Sequence, residues 1–124
     1  MSQKKVILNE GEYVFCSIEN INKININNII CSFKEFAGYS IILTREEAII
    51  NNLSYYFVSA WITLEIDSTL DSVGLTSAFS KELTKAGISS NVVAAYHHDH
   101  IFVPYEKKLK AMKILSDMYD SKNN

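Results

Sequence analysis

Residues 62–103, ITLEIDSTLDSVGLTSAFSKELTKAGISSNVVAAYHHDHIFV, decide the fold. Ile62–Ile66 reads as a strand, the end of a run from Tyr55 rich in aromatic and β-branched residues. Ser68 and Asp71 stand three apart ahead of an apolar run and form a capping box. Leu75, Phe79, Leu83 and Ala86 then recur at helical spacing, which predicts a helix over about Leu70–Ala86 that Gly87 ends. Asn91–Ala95 and His100–Val103 are two further strands, and Tyr96-His97-His98-Asp99 between them has hairpin length. The order strand, helix, strand, strand is therefore written in this one stretch.

The flanks are predicted to cover or complete that unit. Pro104 stops the last strand, and Glu106–Tyr119 carries Leu109, Met112, Leu115 and Met118/Tyr119 along one face of a covering helix. Its lysines, Lys107, Lys108, Lys110 and Lys113, read as a solvated outer side. Upstream, Tyr13–Ile18 alternates like a strand with both faces partly covered, with Gly11 marking its start. The Asn-rich stretch Glu19–Asn28 reads as a loop, because Asn side chains compete for backbone hydrogen bonds. Ile29, Ile30, Phe33 and Phe36 have helical spacing, with Asn28 placed to cap and Gly38 to terminate, so a short helix is expected there. Tyr39–Leu43 is a strand, and Thr44 with Glu47 caps a second short helix reaching about Asn51. Tyr55–Ile66 is extended, with a bend expected at Ser59-Ala60.

The 124 residues suit one compact body, and 48% hydrophobic with 21% charged residues sets aside disordered and fibrous classes. A net charge of -2 gives no concentrated basic face, so nucleic acid is not expected as a partner. Val6–Leu8 is too short for a signal-peptide core and no apolar stretch reaches membrane-spanning length, from which a cytoplasmic location and no membrane partner are expected. Cys16 and Cys31 form neither a CxxC nor a zinc spacing and are expected to be reduced.

Candidate chemistry concentrates near the central helix and the hairpin. Gly74 lies in the helix's first turns, where Ala would be a better helix former by about 1 kcal/mol. Two readings account for it: close approach of a ligand's carboxylate or phosphate to free amides, or tight packing of the helix on the sheet. His97, His98, Asp99 and His100 converge on one turn, but His98 and His100 share a face only if the strand begins at His98, and Asp99 then points away. A turn with polar surface histidines is the favoured reading over a metal site. Cys16 falls mid-strand, and no nucleophile elbow, phosphate loop or acid–base carboxylate pair accompanies it. Neither a catalytic residue, a metal nor a cofactor is expected.

Glu12-Tyr13-Val14-Phe15-Cys16, Ile62-Thr63-Leu64, Val73-Gly74-Leu75-Thr76 and above all Ala86–Ser89 with Asn91–Pro104 make the chain resemble the small bacterial ACT-like proteins related to the CASTOR-type amino-acid sensors. The resemblance spans Glu10 to the last helix. It implies an α+β fold of ferredoxin-like (ACT-like) βαββαβ lobes, an antiparallel sheet with helices on one face, in two intertwined halves, residues 1–60 and 61–124. It also implies an amino-acid effector bound where the loop after a lobe's first strand meets a neighbouring lobe or subunit. In this chain that loop is Asp67–Thr76, which makes Asp71, Val73, Gly74 and Leu75 the ligand-site candidates, joined by Asn91 and His98. Two departures stand out. No chain remains after the last helix for the second lobe's fourth strand, so an N-terminal or partner's strand must supply it, which favours a homodimer. His97 also stands where an aromatic residue is expected. The expected function is a non-catalytic regulatory module sensing an amino acid or related carboxylate; the alternatives are an interaction module without ligand and a metal-dependent enzyme using His97–His100.

Overall fold

The computed structural model describes residues 5–65 and 75–122. Six strands and three α-helices follow in the order β1 (Lys5–Ile18), β2 (Cys31–Glu35), β3 (Gly38–Thr44), α1 (Arg45–Ile50), β4 (Ser59–Glu65), α2 (Leu75–Lys85), β5 (Asn91–Ala94), β6 (Asp99–Pro104) and α3 (Lys108–Lys122). The chain divides into two units within β1, one from Gly11 to Ser59, the other joining the opening residues of β1 to everything from Ala60 onward.

In the second unit the strand order is β1-β4-β6-β5. Counted from β4, the chain runs strand, helix, strand, strand, helix, and its fourth strand is the opening half of β1, giving a spatial order of 4-1-3-2 in that count. The fourth strand of this unit is thus supplied by the same chain rather than by a partner. Strand alternation sorts the side chains. Ile62 and Leu64 of β4 and Ile101 and Val103 of β6 are fully buried with Phe79 and Leu83 of α2 and Ala111 and Leu115 of α3. Val6 and Leu8 of β1 pack on the same cluster, so the borrowed strand joins the core as well as the sheet. Gly87, at φ +76, ends α2 as read, with the amides of Gly87 and Ile88 closing back on Thr84 and Leu83.

The first unit has the order β2-β3-β1. Val14, Cys16 and Ile18 of β1 meet Ile41 and Leu43 of β3 and Ala48 of α1 in a separate core. The Thr44 hydroxyl accepts the Glu47 amide at 3.1 Å and so caps α1, while the Glu47 carboxylate accepts from Asn28 and Asn51. Asn20 and Asn25 each accept a backbone amide two residues on and start two short 3-10 turns in the Asn-rich loop. Ser59 is buried and donates to the Tyr13 carbonyl at 2.8 Å.

Four expectations need correction. The helix read from Ile29 to Phe36 is instead strand β2, paired antiparallel to β3 from Cys31↔Ile42 to Glu35↔Gly38. Tertiary pairing overrides the helical spacing, and Phe33 stays 70% exposed, so the apolar period there did not mark a buried stripe. Gly38 is not a helix stop but opens β3 at φ +140, where a Cβ would lie 2.5 Å from the Ile18 carbonyl oxygen. β1 begins at Lys5, not near Tyr13, and runs through Gly11 at φ +111. Leu109 is 72% exposed in the first turn of α3, whose buried face is Ala111 and Leu115 flanked by Met112, Ile114 and Met118. The Ser68–Asp71 capping box and residues Asp71, Val73 and Gly74 lie outside the described residues.

Gly38→Ala and Gly87→Ala both place a Cβ at positive φ, but only Gly38 has backbone in the way. Gly87→Ala is expected to cost about 1 kcal/mol, and Gly38→Ala at least about twice that, by urea denaturation. Equal losses would mean the Ile18 contact is not tight.

Candidate functional site

The face of the second unit's sheet away from its helices carries a polar and aromatic cluster. Alternation turns Trp61 and Thr63 of β4 and His100 and Phe102 of β6 to this side, because their neighbours Ile62, Leu64, Ile101 and Val103 face the helices. The Trp61 indole stacks on Phe102 with ring centroids 6.1 Å apart and lies 5.6 Å from the His100 ring. Its Nε1–H donates to His100 Nδ1 at 2.9 Å. The Thr63 hydroxyl is 3.1 Å from the same nitrogen. Asn9, reaching over from β1, donates through Nδ2 to Thr63 Oγ1 at 2.9 Å and to the Trp61 carbonyl at 3.2 Å.

Three strands are therefore fastened through polar side chains on one face. An indole N–H only donates, so Nδ1 must be the acceptor, the ring proton sits on Nε2, and the Thr63 hydroxyl donates as well. Burial, with the nearby His98 as a smaller contribution, holds the His100 imidazole below its usual pKa, while Asp99 pulls the other way. The net shift is downward, which favours the neutral imidazole.

The sequence candidates scatter differently. Leu75 opens α2; Asp71, Val73 and Gly74 lie outside the described residues. Asn91 is exposed at the start of β5, opposite Phe102 in register. His98 lies in the turn, where its carbonyl accepts the Ala95 amide at 3.0 Å, with its ring 6.4 Å from that of His100 and 6.3 Å from that of His97. Among the described residues no three His, Cys, Asp or Glu side chains come together to hold a metal ion. Cys16 is buried, and that burial pushes its thiol pKa up, which leaves it a poor nucleophile. Arg45 is held by the Tyr55 hydroxyl at 2.9 Å and Glu12 at 3.4 Å, so it is engaged within its own unit.

Asn9, Trp61 and Thr63 were not among the residues singled out from sequence. The signal available was alternation: the chain's single Trp and Thr63 are two apart in β4, on the side left by Ile62 and Leu64. Pairing with His100 and Asn9 needed the strand order.

Two patterns of the ACT domain family match the chain, over residues 2–60 and 56–117. Similar solved structures include a Vibrio cholerae protein of unknown function described as a possible transport protein, 36% identical, covering 92% of this chain and 88% of that one, with a TM-score of 0.83. The aspartokinase alpha and beta subunits match at 8% identity over 93% and 97% of the two chains, TM-score 0.66. A putative C-terminal regulatory domain of aspartate kinase from Porphyromonas gingivalis matches at 14% identity over 93% and 96%, TM-score 0.58. Comparison with curated proteins gave no match. The chain belongs to the ACT domain family, whose members are regulatory, ligand-binding modules rather than catalysts. No helix among the described residues is long and apolar enough to cross a membrane.

Thr63→Val removes the acceptor for Asn9 and one donor to His100 while keeping the shape of the side chain. With Thr63 buried, a loss of about 1–3 kcal/mol is expected in urea denaturation. A neutral effect would show that the cluster does not fasten the strands.

Proposed function

We propose that this protein is a non-catalytic sensor of an amino acid or a closely related small carboxylate, acting as a cytoplasmic homodimer. The observation that carries this reading is that residues 2–60 and residues 56–117 each match a family of regulatory ligand-binding domains. The effector is bound by Asp67–Thr76, the segment between β4 and α2, with Asp71, Val73, Gly74 and Leu75 as its contacts. Asn91 and His98 complete the pocket. Free amides at the start of α2 receive the carboxylate, and Gly74 leaves room for it. A second subunit supplies the remaining wall, as the resemblance to CASTOR-type sensors implies.

A second reading has its own support: a ligand-free interaction module. Phe33, Phe36 and Tyr56 are apolar side chains largely or wholly exposed in the first unit.

The two readings part in a thermal-shift screen against the twenty amino acids and common carboxylate metabolites, repeated on Gly74→Leu. A ligand at 100 times its Kd adds about 2.7 kcal/mol and raises Tm visibly. The sensor reading expects one compound class to shift the wild type while folded Gly74→Leu does not respond. A flat screen would put the interaction module ahead.

A further inference from the structure

One atom, His100 Nδ1, terminates the whole polar cluster on the open face of the β1-β4-β6-β5 sheet. It accepts from Trp61 at 2.9 Å and from the Thr63 hydroxyl at 3.1 Å, and Thr63 in turn accepts from Asn9. Every donor in this chain points the same way, from β1 and β4 toward β6. A proton on Nδ1 turns the shared acceptor into a third donor, aimed at an indole N–H that can never accept. The contact then becomes repulsive and the Trp61–His100 hydrogen bond is lost.

We propose that this node is an acid-sensitive clasp: neutral His100 fastens β4 to β6 across the open face, and protonation at Nδ1 releases Trp61 and Thr63.

The surroundings favour the fastened state at neutral pH. Facing His100 from β4 and β1 are Trp61, Thr63 and Asn9, and opposite it in register on β5 is Val93, none of them charged. Among the described residues the titratable neighbours that act on it are His98 in the turn, whose charge opposes protonation, and Asp99, which favours it. Burial is the largest influence, and the imidazole is held below the ordinary value of about 6.5. For a histidine with a depressed folded pKa, the contribution to stability is complete above about pH 6.5 and is lost as pH falls through the depressed value. Release therefore belongs below the ordinary imidazole value. The inference is independent of any effector.

Trp61 is the chain's single tryptophan, so its indole N–H gives one assignable signal. In an NMR titration of the full-length protein, the indole resonance should move with the same midpoint as the His100 ring nitrogens, and that midpoint should lie below 6.5. His100→Asn keeps an acceptor oxygen near the position of Nδ1 but cannot take up a proton there, so the indole step should vanish while the remaining spectrum stays native. Thr63→Val, which removes one donor to the neutral ring, should raise the His100 midpoint, and His98→Ala should raise it too. An indole signal that ignores the His100 titration, or a step that persists in folded His100→Asn, overturns the clasp. If His100→Asn does not fold, the Thr63→Val midpoint decides: unchanged or lowered, it overturns the proposal as well.

Discussion

A β-sheet lobe with two helices on one face is complete only when each of its inner strands has a neighbour on both sides, because a buried backbone N–H or C=O left unpaired costs as much as a lost hydrogen bond. Here β4 is the strand at risk. It lies between β6 and the opening half of β1, which provides that second neighbour. Much else follows from this: Val6 and Leu8 add to the core beneath the helices, and Asn9 reaches Thr63 and Trp61 above it.

The two faces of that sheet do different work. The helix side is closed by aliphatic burial, which is non-directional and tolerates small shifts. The other side is held by hydrogen bonds that demand particular donors and one particular protonation state. A hydrophobic face closes the lobe on the helices, while the polar face ties β1 to β4 through Asn9 and β4 to β6 through one imidazole. Such a division suits a regulatory module, whose strands must hold firm yet remain open to a small bias.

The central unit was readable in advance because its determinants are local. Thr44 with Glu47, Gly87 after α2, and the alternation of Ile62 with Leu64 and of Ile101 with Val103 each act within a few residues. The failures share a cause as well. Ile29, Ile30, Phe33 and Phe36 fit a helical period, but the segment's structure was set by β3, its partner across the turn at Gly38. Leu109 fitted the stripe of α3 by spacing alone, whereas the first turn of a helix need not face what the later turns face. Of the candidate site, the hairpin histidines were found as residues but not as partners: His100 gains its meaning from Trp61 and Thr63, nearly forty positions away.

By itself, then, the sequence determined the class of the fold and the order of elements from β4 to α3, because capping, turn chemistry and side-chain period are short-range properties of the chain. It also determined that Cys16 would sit in a core. The tertiary structure alone decided which strand completes the second lobe, that residues 31–35 pair rather than coil into a helix, and that His100 is a neutral acceptor shared by two donors. These are long-range choices. Each depends on which distant segment satisfies a backbone or side-chain group, and no local pattern carries that information.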